Sequence, residues 1–283
     1  MKQLVALYRS PNYSPNQHRT NDTAIMDAVV ARMATLGWSI EGITERAVAA
    51  GITPAADCYL NMCQGPAATL RLQESVPDGS VIVNRPEAVL GCHRYRLAPA
   101  LLNGGIPFPA TIFVDAEGPT IPDPAPEWLR RDAPIWVKRG DVHAECSQDV
   151  AAVSASGVAV IVQEFFARGI RNVALQQHQP GPIVKFYGVN GSSGTRFFRW
   201  YLASAPFGDL RGRDTVNPER LEALAFAAAS VIGLEVFGGD AAVEDVDAPV
   251  LVDLNDWPSF APVRDDAADA IAAWVHHRCS IPR

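Results

Sequence analysis

Apolar residues in the first 84 positions come in short runs separated by longer amphipathic stretches. QLVALY reads as a buried strand. NDTAIMDAVVARMATLG carries apolar residues at helical spacing, with Asn21 or Asp22 as cap and Gly37 as stop. WSIEGIT, DCYLNM and VIVN follow as strands, with PAATLRLQES as a helix between the last two. This rhythm predicts a small parallel α/β unit ending near Asn84. PEAVLGCHRYRLAPALLNGG then predicts a helix closed by Gly104-Gly105, and IPFPATIFV a strand punctuated by prolines. DAEGPTIPDPAPEWLRRDAP, rich in proline and acid, reads as a surface connection. IWVKR is a strand, GDVHAECSQDV a polar loop and AVIVQEFF another strand. A long irregular region follows, in which IVKFYGV and RFFRWYL are strands. NPERLEALAFAAASVIG is a helix capped by Asn217, with Pro218 in its first turn and Gly233 as its stop. The closing helix, RDDAADAIAAWVHHR, opens on Asp265 and Asp266 and ends on His276, His277 and Arg278. Those charges complement the helix dipole, so the histidine pair reads as a helix end and not as a metal site.

Composition narrows the class. With 283 residues, 48% hydrophobic and 19% charged, the chain has enough apolar mass for one large domain or two to three small ones. A net charge of −7 with no basic block argues against nucleic acid or an anionic membrane as partner, but leaves room for a small phosphorylated ligand. The five cysteines form no C-x-x-C pair, which points to reduced thiols in a cytoplasmic protein and to neither a disulfide framework nor a zinc site. MKQLVALYRS lacks the apolar core and cleavage site of a signal peptide, and ALAFAAASVIGL is too short to cross a bilayer.

The stretch VLVDLNDWPSF breaks a core-like strand with Asp253, Asn255 and Asp256. Alternation puts Leu251, Asp253 and Asn255 on one face and Asp256 on the other. A hairpin centred between Val246 and Asp247 sets Asp240 directly opposite Asp253, where like charges repel. Two carboxylates and an amide oxygen suit a hard divalent cation; a solvated hairpin face is the plain alternative. Lysine usage bears on the choice: only Lys2, Lys138 and Lys185 occur among 24 basic residues, and the two internal ones sit inside apolar strands. A compact ammonium there serves as a point charge on phosphate, or snorkels from an edge strand.

Taken in order, VNRPEAVLGCHRYRLAPALLNGGIPFPAT, IWVKRGD, VQEFF and the C-terminal run ALAFAAASVIGLEVFGGDAAVEDVDAPVLVDLNDWPSFAPV resemble ATP-grasp proteins. Ribosomal-protein-modifying glutamate ligases and inositol trisphosphate kinases are the nearest patterns. The resemblance spans Asn84 to Arg264 and implies an α/β and α+β chain. Two ATP-grasp subdomains, 85–160 and 161–283, would clamp ATP behind a small Rossmann-like domain, 1–84. ATP and Mg²⁺, or Mn²⁺, are the implied cofactors. Asp240, Asp253 and Asn255 would hold the metal, and Lys138 the α/β-phosphates. Gln163, Glu164, Phe165 and Phe166 would form the hinge that reads adenine, and Lys185 and Arg171 would approach the γ-phosphate. Arg94 stands where the family usually has lysine, in a His93-Arg94 pair in place of Asp-Lys. The loop after Lys138 has one glycine where the family has several, so His143 would touch phosphate through its side chain.

Three functions fit this set. One is a ligase that joins a carboxylate to an amine through an acyl phosphate; another is a kinase acting on a small-molecule hydroxyl such as an inositol phosphate; the third is a nucleotide-binding domain without turnover. A polyphosphate acceptor needs a dense basic cluster, and Arg9, Arg196, Arg199, Arg211 and Arg213 are scattered in an acidic chain, which favours the ligase. Arg9, Ser10 and Asn12 lie where open α/β units place ligand loops; they, with Arg196 and Ser259, are the candidate contacts to an acid, amino acid or peptide substrate. A homodimer is compatible with the sequence.

Overall fold

The computed structural model describes residues 2–14, 19–118, 121, 125–142, 146–191, 196–204 and 215–281. Its first unit is the expected one. β1 (Gln3–Tyr8), α1 (Arg19–Thr35), β2 (Ser39–Thr44), α2 (Glu45–Ala49), β3 (Cys58–Asn61), α3 (Pro66–Ser75) and β4 (Val81–Val83) build a parallel sheet in the order β2-β1-β3-β4. Asn21 and Asp22 fall inside α1, which begins at Arg19. Asp22 turns its carboxylate to Ser14 and Arg9.

After β4 the chain departs from expectation. The predicted helix over 86–105 is two helices, α4 (Pro86–Gly91) and α5 (Arg94–Asn103), because His93 takes an extended backbone between them. Strand β5 is confined to Thr111–Asp115, beyond the proline-rich stretch, and β6 is Ile135–Arg139. β7 (Val150–Val153) was not foreseen. AVIVQEFF, read as a strand, is the helix α6 (Val158–Ala167). Val158, Val162 and Phe165 recur at helical spacing and are buried against the adjacent sheet, while Gln163 and Glu164 face out. A second unforeseen strand, β8 (Asn172–Gln177), follows. β5, β8, β6 and β7 form an antiparallel sheet in that order.

β9 (Ile183–Val189), β10 (Phe197–Leu202), α7 (Pro218–Ile232), β11 (Val236–Ala242), β12 (Val250–Asp256) and α8 (Arg264–Arg278) complete the chain. α7 is delimited as its sequence foretold: the Asn217 side chain accepts from the Glu219 and Arg220 amides, and Gly233 closes it at φ +84°. The third sheet runs β10-β9-β11-β12 and is antiparallel. α4, α5 and α7 share one apolar core with it, so the buried face of Pro86–Asn103 belongs with the C-terminal strands. The middle sheet in turn keeps α6 and β8. The expected boundary at 160 therefore cuts through a packed unit, and the crossing between the two sheets is the stretch 178–182.

The junction at Asn84 is built by that residue itself. It is fully buried at φ +58°, where the asparagine side chain replaces the strand ladder. Its Oδ1 accepts from the Glu235 and Val236 amides (2.8 and 3.0 Å), and its Nδ2 donates to the Val236 carbonyl (2.6 Å). The first sheet is thereby pinned to the start of β11. Trp257 and Phe260, both fully buried, fill the same interface between the first sheet, α8 and β9.

Candidate active site

Strand pairing aligns the acidic side chains before any ligand is considered. Lys185 lies opposite Asp240, and Asp240 opposite Asp253, so one row crosses β9, β11 and β12. The expected Asp240–Asp253 pairing is present. A bulge follows it, because Ala241 pairs with Leu251 and Val252 is left as the extra residue. Leu251 and Leu254 both enter the core, whereas Asp253 and Asn255 line the cleft. Simple alternation had placed Leu251 on the face of Asp253; the bulge reverses that. Gly239 makes the close approach possible: a Cβ there would stand 2.4 Å from the Asp253 carbonyl oxygen and 2.6 Å from the Phe186 ring.

Each of these acids faces a cation. Lys185 Nζ donates to Asp240 Oδ1 and Oδ2 at 2.8 and 3.1 Å. Burial works against the charge on Lys185, yet the Asp240 carboxylate outweighs it and holds the ammonium above its usual pKa. Burial likewise pushes the Asp240 carboxyl up, with Asp253 adding to the rise and Lys185 opposing it. Arg94 Nη2 donates to Asp253 Oδ2 (3.3 Å), while its Nη1 donates to the Arg139 carbonyl (3.0 Å) of the middle sheet. Lys138 projects from β6; its Nζ donates to Gln176 Oε1 of β8 (2.6 Å) and lies 5.9 Å from the Trp136 ring centre. Burial lowers its pKa from 10.5 to about 8, partly offset by Asp253 and Asp240 and reinforced by Arg94.

The other wall comes from the ends of β1 and β3, at the point where strand order in the first sheet diverges. Arg9 is almost wholly enclosed there. Its guanidinium pairs with Asp22 (3.2 Å) and Asp256 (3.4 Å), and donates to the carbonyls of Asp256, Trp257 and Met62. Gln64 Nε2 donates to Asp256 Oδ1 (3.1 Å). Beneath them the buried Glu45 carboxylate accepts from the amides of Ser10, Gln64 and Gly65, at 2.6, 2.8 and 2.5 Å. Burial still pushes its pKa up. Tyr187 joins Ser259 and Tyr201 through its hydroxyl, whose pKa is raised by burial first. These residues enclose a cleft of about 270 Å³.

Neither a family sequence model nor a curated protein matches the chain. Its three-dimensional shape does find counterparts. D-alanyl-alanine synthetase A from Vibrio cholerae aligns over 98% of both chains with a TM-score of 0.72 at 10% identity. A RimK domain ATP-grasp protein from Sphaerobacter thermophilus covers 96% of this chain and 99% of its own, with a TM-score of 0.65 at 22% identity. D-alanine–D-alanine ligase from Bacillus anthracis, in complex with ATP, aligns over 99% of both chains with a TM-score of 0.64 at 12% identity. The chain has the ATP-grasp fold.

Within that fold the expected site residues divide. Asp240, Asp253, Asn255, Lys185, Arg94, Arg9 and Ser259 line the one cleft, and Lys138 faces its acids electrostatically. The residues expected as the hinge, Gln163, Glu164, Phe165 and Phe166, belong to α6 and not to a strand, with Phe165 in the core and Gln163 and Glu164 in solvent. The chain passes between the middle and third sheets at 178–182, directly after Gln176 and Gln177. His178 opens that crossing and accepts from Trp136 Nε1 at 3.2 Å. Arg171 is exposed before β8 and pairs with Glu117, at the end of the strand remote from Gln176. Arg196 lies over the Phe226 ring on the helix-covered side of the third sheet. Ser10 caps a short turn through Asn12 N, and Asn12 is exposed. His143, Arg211 and Arg213 lie outside the described residues. Sequence reasoning missed Gln176, Asp22, Glu45, Gln64 and Tyr187. NVALQQ, bounded by Gly169 and Pro180-Gly181, carried a strand signal for the first of them; the others have no local signature.

Proposed function

We propose that the chain is an ATP- and divalent-metal-dependent ligase that joins a carboxylate to an amine and releases ADP and phosphate. The observation that carries this reading is the row Lys185–Asp240–Asp253, with Asn255 beside it in the cleft and Lys138 within electrostatic reach of both acids. It joins acid ligands for a cation to cations for a polyphosphate. Among the described residues no group of three or more His, Cys, Asp or Glu side chains forms a metal-binding cluster. Two carboxylates and an amide oxygen are nevertheless the donor set for a hard ion that keeps waters and shares phosphate oxygens. Such an ion, when bound, neutralises charge on the phosphoryl group in flight.

The chain's own part is positioning and charge. Lys138, oriented by Gln176, holds the inner phosphates; Lys185 and Arg94 meet charge developing on the γ-phosphoryl group. A substrate carboxylate oxygen attacks the γ-phosphorus and ADP leaves. An amine then attacks the carbonyl carbon of the resulting acyl phosphate, its nitrogen gives up a proton to solvent, and phosphate departs with the C–O bond electrons. The acceptor wall speaks for a ligase over a kinase of polyphosphorylated polyols. Arg9 is matched by Asp22 and Asp256, Arg94 by Asp253 and Lys185 by Asp240, so the described cleft has no surplus positive charge for several more phosphates. Similar structures named as ligases and as a D-cycloserine synthetase lend the same support.

The deciding experiment offers amino acids, small acids, peptides and polyols with ATP and Mg²⁺, follows ADP release, and weighs the product. An amide bears out the ligase; a phosphate ester overturns it in favour of a kinase. Asp253→Asn should abolish ADP release, with circular dichroism unchanged. Undiminished turnover would remove Asp253 from the metal site.

A further inference from the structure

Both carboxylates assigned to the metal are already held by protein cations, and the geometry of those pairs sets how ligands enter. Lys185 spans both oxygens of Asp240, and Arg94 reaches Asp253 while anchored to the Arg139 carbonyl behind it. Arg94 is nearly buried, and its Nε has no hydrogen-bond partner among the described residues. The four side chains sum to zero charge. A bare divalent ion would have to displace two cations at ion-pair distance and would leave these four side chains at +2. The protein supplies only two carboxylates and one amide oxygen, so the rest of the shell is left to water or to a polyphosphate. A polyphosphate removes the obstacle: it draws off the lysine and the arginine, and lends its own oxygens.

We propose that the Asp240–Asp253 site takes a divalent cation only together with a polyphosphate, by an exchange in which Lys185 and Arg94 pass from carboxylate to phosphate as the metal takes their place. This rests on the ATP-dependent reading of the cleft. The two ligands are thus coupled through these two side chains, and the coupling is reciprocal.

The test is Mn²⁺ binding followed by calorimetry, alone and with saturating non-hydrolysable ATP analogue, in the unaltered protein and in Lys185→Gln. Association of Mn²⁺ with the analogue in water is common to both proteins and cancels when they are compared. Lys185→Gln is expected to bind Mn²⁺ alone about tenfold more tightly and the analogue more weakly, so the coupling factor falls by about tenfold or more. Arg94→Gln should act in the same direction, with melting curves checking that each variant is folded. Metal-alone affinity that is unchanged or weaker in a folded Lys185→Gln overturns the exchange while leaving the nucleotide site in place. Failure of the unaltered protein to bind the analogue at all, with or without Mn²⁺, overturns the ATP-dependent reading and this inference with it.

Discussion

At the scale of single residues, Lys138 has the most informative chemistry. A buried ammonium with pKa near 8 is only partly charged under mildly alkaline conditions. A bound polyphosphate favours the charged form, so nucleotide binding at pH 8–9 should take up protons, and affinity should fall as pH rises through about 8. Calorimetry of ADP binding in two buffers of different ionisation heat measures this directly; the same apparent enthalpy in both would dissociate Lys138 from the phosphates. The folding contribution has the opposite sign. Between about 8 and 10.5 the unfolded chain binds the proton that native Lys138 has lost, so this group adds stability as pH rises across that window. Arg9 differs in kind. It was expected to bind a substrate carboxylate, but its donors are spent on Asp22, Asp256 and three backbone carbonyls. Arg9→Met should cost about 3–5 kcal/mol by stranding two buried carboxylates. Urea titration at pH 7 would record the loss, and an unchanged midpoint would refute the stranded-charge account.

At the scale of elements, the acidic hairpin is the part that chain-local rules describe best. Its register follows from alternation and turn placement, and Asp240 meets Asp253 as those rules require. The bulge at Val252 does not follow from them; it answers the need to bury both Leu251 and Leu254. Gly239 between the strands should not accept a side chain. Gly239→Ala should destabilise by about 1–3 kcal/mol through overpacking against the Asp253 carbonyl and Phe186. A thermal midpoint within a degree of the unaltered protein would show that β11 and β12 separate freely. The misread helix α6 teaches the converse. Eight residues of mixed Val, Ile and Phe satisfy either period, and only the burial of Val158, Val162 and Phe165 on the middle sheet selects the helix.

At the scale of the molecule, the first and third sheets meet around one cleft, and two buried junctions hold them together. Asn84 fastens the first sheet to β11, and Trp257 with Phe260 fills the seam where β12 turns towards α8. Both aromatic residues have positive φ, 36° and 48°. The Trp257 carbonyl accepts from Arg9, which ties the strained corner to the N-terminal unit. Asn84→Ala should cost about 2–4 kcal/mol, because alanine disfavours this backbone region and leaves the Glu235 and Val236 amides unpaired. Asn84→Gly, which keeps the backbone freedom, should cost less; urea midpoints that rank the two variants the other way would count against the conformational share of the effect. Among the described residues no helix is long and apolar enough to cross a membrane.

What the chain determines by itself is local. Caps, stops and period placed most strands and helices, the acidic pair of the hairpin and the two strand lysines, because each depends on neighbours a few residues away. Tertiary structure alone decided which glutamine meets Lys138, where the chain crosses between the middle and third sheets, and that Arg9 pairs with Asp22 and Asp256. Arg9 and Asp256 are separated by 247 positions, and their pairing arises only when the first sheet and the last strand share a wall. Local pattern carries no record of such a contact, since the attraction outweighs desolvation only where the folded chain encloses both charges together, an environment that the extended chain lacks.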